Sequence, residues 1–310
     1  MKLVIQIPCY NEEKTLPETI NSLPKKIEGI SEIEILIIND GSTDRTVEVA
    51  KSLGVQNILN LQYNMGLAEA FSQGLRYAYN LGADLVVNTD ADNQYCADDI
   101  EKLIRPILEG KAQMVIGDRQ TMTVPHFSFF KKRMQRLGSR LLSLMAGVDV
   151  PDATSGFRAF SRELCHRIFL FTKFSYTLET IIMCGKRGIP ITSVPVRTNA
   201  PTRPSRLFRS MPHYLVKSGL SMVQIYLFYT SVQILAKTGL VFIILGLLPG
   251  IRFLILFLFY SPKGHVQSLI LAAIMLIIGS LLLLAALIIS NVTDNRKMLE
   301  EIVLELRREK

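Results

Sequence analysis

Tryptophan does not occur in this 310-residue chain, and cysteine and histidine occur four times each. Cys9, Cys96, Cys165 and Cys184 are widely scattered and form no C-x-x-C pair. That excludes a zinc ribbon or a disulfide framework and fits a reduced, cytoplasm-facing location. Acidic residues are missing from two long stretches, 120–148 and 180–293. The lysines and arginines there are unopposed within their own stretch, and the net charge is +8, from 35 basic against 27 acidic residues. Basic stretches tied to apolar runs, without tryptophan, fit an anionic membrane surface better than nucleic acid. The chain passes directly from Met1 into KLVIQIP, so no signal peptide is expected.

What the chain has in abundance is uninterrupted apolar sequence near its end. Residues 266–289 carry no charge, a run long enough to span about 30 Å of hydrocarbon. Residues 238–260 form its partner, interrupted by Pro249 and Arg252. Arg252 lies toward one end, where it can snorkel outward or pair with a lipid phosphate. The joining SPKGH is short, so the two runs make a hairpin with both flanks on one side. Lys237 precedes the hairpin and Arg296, Lys297, Arg307, Arg308 and Lys310 follow it, against Lys263 in the turn. The positive-inside rule puts both flanks and both termini in the cytoplasm. The alternative is a pair of buried helices in a soluble protein. The tail, TDNRKMLEEIVLELRREK, opens with a Thr/Asp cap signal and repeats Met298/Leu299, Ile302/Val303 and Leu306 at helical spacing. Its apolar stripe needs the protein's own body or another subunit, and a homo-oligomer is expected.

The first two hundred residues alternate between strand and helix patterns. Strands are expected at 3–7, 33–39, 55–59, 85–89 and 114–116, with helices at 16–23, 43–53, 66–80 and 98–108. Such alternation implies βαβ units and a mostly parallel sheet, whose ligands bind beyond the carboxyl ends of the strands. Four polar segments follow strands: PCYNE (8–12), NDGSTD (39–44), TDADNQ (89–94) and GDR (117–119). Any one of them can be turn chemistry, with Ser42 or Thr43 capping the next helix. Their convergence on one edge argues for a site.

LVVNTDADNQY holds the sharpest clue. Asp90 and Asp92 end a buried strand one residue apart, and two carboxylates so placed repel unless a cation joins them. Oxygen ligands of this kind suit Mg2+ or Mn2+ shared with substrate phosphates, so a nucleoside diphosphate is the natural partner. The ion would neutralise charge on the departing nucleotide.

PCYNE, NDGSTD, TDADNQ and TSGFR (154–158), in this order, resemble the family 2 inverting glycosyltransferases. Within them the chain is most similar to the polyprenyl-phosphate group, which includes dolichyl-phosphate mannose synthases and bactoprenol glucosyltransferases. The resemblance covers roughly residues 1–210 and extends in architecture to the apolar hairpin. It implies an α/β GT-A catalytic domain over 1–205, amphipathic juxtamembrane helices over 206–235, two transmembrane helices over 236–290 and a cytoplasmic amphipathic helix over 291–310. It also implies residue roles. Pro8, Tyr10, Asn11 and Glu12 would line base and ribose, with Asp40 on the base or ribose side. Asp90 and Asp92 would handle diphosphate and metal, Asp92 being favoured as the direct ligand, and Gln94 would assist metal or sugar. Arg119 and the SGFR loop, with Ser155 and Arg158, would face the acceptor phosphate.

The acceptor side also reads from the residues. Lys131, Lys132, Arg133, Arg136 and Arg140 interleave with Phe127, Phe129, Phe130, Leu137, Leu141, Leu142 and Leu144 in a basic amphipathic segment. PTRPSR (201–206) resembles the family's basic acceptor loop. A lipid phosphate with a second pKa near ~6 is largely ionised at neutral pH. It needs guidance more than deprotonation, and Arg119, Arg136, Arg203 and Arg206 are candidates to hold it; simple attraction to anionic lipid is the plainer reading. Asp152 is a candidate base or sugar-hydroxyl contact, and Glu179 a weaker one. Without tryptophan, the Q-x-x-R-W motif of processive relatives cannot occur, so a single inverting transfer is expected, from UDP-glucose to undecaprenyl or dolichyl phosphate. GDP-mannose as donor, a non-lipid acceptor, a sugar-nucleotide-binding regulator and a flippase are the competing readings.

Overall fold

The computed structural model describes residues 1–120, 129–170, 175–200, 211–259 and 266–308. The chain divides into two units, Met1–Ile225 and Tyr226–Lys310.

The first unit is built on one seven-stranded sheet. In chain order its strands are β1 (Lys2–Cys9), β2 (Glu32–Asn39), β3 (Asn57–Asn60), β4 (Leu85–Asn88), β5 (Met114–Asp118), β6 (Arg158–Ser161) and β7 (Ile191–Pro195). Their spatial order is β3-β2-β1-β4-β6-β5-β7, and all neighbours are parallel except at β6, which is antiparallel to both β4 and β5. The helices are α1 (Leu16–Ser22), α2 (Thr46–Ser52), α3 (Leu67–Asn80), α4 (Ile100–Leu108), α5 (Phe129–Ala146), α6 (Arg162–Arg167) and α7 (Tyr176–Lys186).

Apolar runs make the central strands because both faces are covered. Leu3, Ile5, Ile7 and Cys9 of β1 pack with Leu16 and Ile20 of α1, Ala50 of α2 and Leu103 and Ile104 of α4. The opposite face of β1 and β2 carries α3. Gly74 permits that approach, since a Cβ there would lie 2.6 Å from Gln6 Oε1 and 2.8 Å from Ile38. Fully burying a Leu or Ile contributes about 1.5–3 kcal/mol, so these residues fix the sheet's register.

The expected elements form, with shifted ends. α2 begins at Thr46 rather than 43, because the Asp44 carboxylate accepts both the amide and the hydroxyl of Thr46. Neither Ser42 nor Thr43 starts the helix. β6, β7, α6 and α7 add to the elements expected from sequence.

The second unit holds most of α8 (Met211–Phe259) and all of α9 (Val266–Arg308). Two stretches, Gly219–Phe259 and Val266–Glu300, are long and apolar enough to cross a membrane. The tail expected as a separate helix continues α9. The Thr293 hydroxyl donates to the Ile289 carbonyl 2.8 Å away, one turn back, instead of capping a new start. Within this unit α8 and α9 approach closely at small residues. A Cβ on Gly239 would lie 3.0 Å from the Gly279 carbonyl, and one on Gly246 would lie 3.0 Å from Met275 and Leu276. Ala272 and Ala286 are buried on the same side of α9 as Gly279, seven residues away in each direction.

Candidate active site

Four strand ends and one returning loop meet at the carboxyl edge of the sheet. β1, β2, β4 and β5 end there in residues 10–12, 40–44, 90–94 and 118–119. β6 pairs Arg158 with Asn88 of β4 and with Ile116 of β5. Its antiparallel course brings the preceding loop, 152–157, to the same edge.

The β1 and β2 ends are laced together. Asn11 adopts a left-handed backbone with φ 57°. Its amide donates to Ser42 Oγ at 3.0 Å and its side-chain oxygen accepts the Thr43 amide at 2.8 Å. The Glu12 amide donates to Thr46 Oγ1, and its carboxylate accepts the Thr15 hydroxyl. Asp40 is buried, and its two oxygens accept the Met65 and Gly66 amides at 2.7 and 3.0 Å. Pro8 is buried inside β1. Asp40 and Pro8 therefore lie below the surface of this edge as supports, whereas Tyr10 is 45% exposed.

The turn after β4 is held on two sides. Asp92 Oδ1 accepts the Gln94 amide at 3.2 Å. Asn93, between them, has φ 52° and is buried. Its side chain bonds Glu18 and Ser22 of α1. From the other side Asn199 donates its side-chain amide to the Asn93 carbonyl at 2.8 Å, and its backbone amide to the Gln94 carbonyl at 2.9 Å. Asp90 and Asp92 are half-buried.

Beneath Asp90 lies the TSGFR loop. A Cβ on Gly156 would sit 3.2 Å from each Asp90 carboxylate oxygen and 2.8 Å from the Tyr176 hydroxyl. The Gly156 peptide is clasped at both ends: its amide donates to the Tyr95 hydroxyl at 3.0 Å, and its carbonyl accepts Asn88 Nδ2 at 2.9 Å. Asn88 in turn accepts from Gln6 of β1 and donates to Tyr176 of α7. A buried amide without partners costs about 1–3 kcal/mol, so these hydrogen bonds favour the seated loop. Burial pushes the Tyr95 hydroxyl up to about 12, which keeps it protonated.

Arg119 crosses from β5 to the same loop. Its Nε donates to Asp152 Oδ2 at 2.7 Å, and its Nη2 to Asp152 Oδ1 at 3.0 Å and to Thr154 Oγ1 at 2.8 Å. Burial alone would raise the Asp152 carboxyl; the Arg119 charge, its hydrogen bonds and the Thr154 hydroxyl outweigh it and hold the group below the usual carboxylate range. Burial works against the Arg119 charge too, yet Tyr95, Asp152 and Asp90 together raise its pKa. Asp152 is thus an anchored counter-ion and is poorly suited to take a proton.

Two residues expected on the acceptor side, Arg158 and Ser155, and the weaker base candidate Glu179 are buried. Arg158 is fully buried and donates to the carbonyls of Ser155, Thr177 and Ala153 and to Thr180 Oγ1. Desolvation lowers its pKa to about 10, and it ties the loop to α7 instead of facing a lipid phosphate. Ser155 is fully buried, and Glu179 is buried in α7. Arg136 is exposed on α5. Arg203, Arg206 and the Lys132 side chain lie outside the described residues.

Asn88, Tyr95, Tyr176 and Asn199 were not foreseen. The available signal was polarity in the wrong place: Gln6 and Asn88 interrupt apolar strands, and parallel pairing sets them side by side.

Among the described residues no group of three or more His, Cys, Asp or Glu side chains could by itself hold a metal ion. Two adjacent carboxylates fit an ion of the Mg2+ type, which keeps waters and shares its shell with substrate phosphates.

The family described as Glycosyl transferase family 2 matches residues 4–169. The chain is 31% identical over 217 residues to the UDP-N-acetylglucosamine–dolichyl-phosphate N-acetylglucosaminyltransferase of Methanococcus voltae, covering 62% of this chain and 83% of that protein. It is 31% identical over 203 residues to the dolichyl-phosphate hexose transferase of Haloferax volcanii, covering 63% and 81%. The solved glucosyl-3-phosphoglycerate synthase of Mycobacterium tuberculosis, in complex with Mn2+, UDP and glucosyl-3-phosphoglycerate, aligns with TM-score 0.57 at 21% identity, over 74% of this chain and 79% of that one. That likeness shows a shared GT-A-like fold, the class expected from the sequence.

Proposed function

This chain belongs to glycosyl transferase family 2 and is a glycosyltransferase, and we propose that it moves one hexose from a nucleotide sugar to a polyprenyl phosphate lying in a membrane. The observation that carries the reading is the joining, in one chain, of an Asp90–Asp92 turn at the sheet's carboxyl edge with two helices apolar enough to span a bilayer. The names of the relatives from Methanococcus voltae and Haloferax volcanii support the lipid acceptor. The donor we favour is UDP-glucose.

In this reading Tyr10, Asn11 and Glu12 form the nucleotide wall. Asp90 and Asp92 hold a Mg2+ or Mn2+ ion, with Gln94 assisting, and the bound ion supplies neutralising charge for the diphosphate. Arg119, locked edge-on by Asp152 and Thr154, keeps a fixed positive charge beside Asp90. An oxygen of the acceptor phosphate attacks the anomeric carbon as the nucleoside diphosphate departs with the bonding electrons, and the configuration inverts. The acceptor arrives already ionised, so no protein base is required. Arg136, Arg203, Arg206 and Lys132 are the candidates to guide it from the lipid side. The chain sits in the cytoplasmic membrane with the catalytic domain and both termini in the cytoplasm.

The test is transfer of radiolabelled sugar from a panel of UDP- and GDP-sugars to undecaprenyl or dolichyl phosphate, followed by organic extraction. Label in the organic phase, dependent on the lipid phosphate and greatest with UDP-glucose, is expected. Labelled protein or polysaccharide without labelled lipid would overturn the acceptor; preference for GDP-mannose would overturn the donor.

A further inference from the structure

We propose that Asn199 is a positioning residue for the divalent ion: it holds the turn 92–95 in the shape in which Asp92 meets a nucleotide-bound metal. The inference rests on the reading of Asp90 and Asp92 as the holders of that ion.

The turn is not at rest by itself. Asn93 has φ 52°, a left-handed backbone that is unfavourable for residues with a Cβ, although asparagine tolerates it better than most. That conformation brings the Gln94 amide back to the Asp92 carboxylate, which accepts it at 3.2 Å. Were Asn93 to relax, the amide would turn away and release the carboxylate.

A bend of this kind also leaves its carbonyls outside both sheet and helix, where they need donors from elsewhere. Three in succession converge on one residue. Asn199 donates its side-chain amide to the Asn93 carbonyl at 2.8 Å and to the Tyr95 carbonyl at 3.3 Å, and its backbone amide to the Gln94 carbonyl at 2.9 Å.

Those donors are fixed from outside the turn. Tyr95 and Thr198 form an antiparallel bridge, and the Cys96 amide donates to the Arg197 carbonyl at 3.2 Å. Asp99, immediately before α4, has a fully buried side chain. It accepts the Arg197 amide at 2.7 Å and the Arg197 guanidinium at 3.0 Å. The segment bearing Asn199 is thereby pinned to a helix whose Ile100, Leu103 and Ile104 lie in the core. It resists the turn's relaxation instead of following it.

The consequence falls on binding more than on folding. Asn199 is exposed, so water can replace its side chain on the carbonyls with little loss to the fold. Water cannot keep the turn in one shape. A turn that samples several shapes must be returned to one when the ion binds, and that ordering appears in the binding constant.

The test is calorimetric binding of UDP, and of GDP in parallel, to the detergent-solubilised full chain with and without Mn2+. Asn199→Asp keeps the size and removes the donor; Asn199→Ala removes both. In the wild type Mn2+ should tighten nucleotide binding, and Asp92→Asn should lose that enhancement. In both Asn199 variants the Kd with Mn2+ should rise about three- to tenfold, as loss of one such hydrogen bond allows. The Kd without Mn2+ and the Tm should stay near the wild-type values. Undiminished enhancement by Mn2+ in both variants would overturn the proposal. A raised KM for lipid phosphate beside it would make Asn199 an anchor of the basic segment that starts two residues on, at Pro201. Equal weakening with and without Mn2+, together with a fallen Tm, would reduce the residue to a general structural contact and also overturn it. No effect of Mn2+ on the wild type would sink the metal reading itself, and this proposal with it.

Discussion

Arg119 and Asp152 meet as a two-pronged ion pair, with Nε to Oδ2 at 2.7 Å and Nη2 to Oδ1 at 3.0 Å. Both side chains are nearly buried, at 9% and 2% exposure. Removing one partner from such a pair costs about 3–5 kcal/mol, because the other charge is left without compensation. Asp152→Asn should therefore lower thermal stability as well as transfer, measured by melting of the detergent-solubilised chain. Loss of activity with an unchanged Tm would return Asp152 to the role of a base.

The same pair sets a pH expectation. A carboxylate depressed in the folded state contributes stability that is present above its unfolded value near ~3.9 and is lost as pH falls through the folded one. Asp152 is depressed, so its contribution is complete at neutral pH and fails only in strong acid. The kcat/KM profile should show no limb from Asp152 between about pH 5 and 8, and the profile of Asp152→Glu should keep its shape there. A wild-type acid limb in that window that moves in Asp152→Glu would contradict the ion-pair role.

Metal dependence follows from the carboxylate turn. Asp92→Asn keeps the shape and the Gln94 contact while removing charge, and should reduce transfer by about a hundredfold or more with little change in Tm. EDTA should abolish activity reversibly, with Mg2+ or Mn2+ restoring it. Full activity in excess chelator would exclude the ion.

Gly156 is sterically committed. Gly156→Ala places a methyl 3.2 Å from the Asp90 oxygens and 2.8 Å from the Tyr176 hydroxyl. Overpacking of this kind costs about 1–3 kcal/mol. It should also raise the Kd for nucleotide-metal by displacing Asp90, readable by calorimetry. An unchanged Kd would separate the loop from the donor site.

Two arginines predict opposite phenotypes. Arg158→Met should destabilise the domain strongly, because the carbonyls of Ala153, Ser155 and Thr177 lose their buried donor. Arg136→Ala should leave Tm nearly unchanged and raise the KM for lipid phosphate several-fold, to about tenfold. Equal loss of stability in both would remove Arg136 from the acceptor side.

The sheet was legible because buried strands announce themselves as apolar runs, and the converging strand ends followed from parallel topology. β6 was not. Its four residues, Arg158–Ser161, begin inside a motif whose glycine and arginine suggest an open loop, and its direction is set by partners β4 and β5, far away in sequence. The same motif, by its resemblance, put Arg158 on the acceptor side; the four acceptors that bury it are assembled only by tertiary folding. Asp40 was recognised as important but not as a brace, because the amides it holds lie at Met65 and Gly66. The carboxylates of Asp90 and Asp92 were legible because their cost can be judged locally; the clasp by Asn199 was not, since it closes across more than a hundred residues.

The glycine seam of the second unit fixes a handedness. Gly239 and Gly246 on α8, and Ala272, Gly279 and Ala286 on α9, recur every seven residues. Seven residues fall just short of two full turns, so a contact line of that period winds two helices leftward about each other. Leu282 and Leu283 already lie against Gly239, where even a methyl would be crowded at 3.1–3.2 Å. Close approach in the apolar hairpin thus depends on residues without side-chain volume, and the side it turns toward its surroundings spirals along its length.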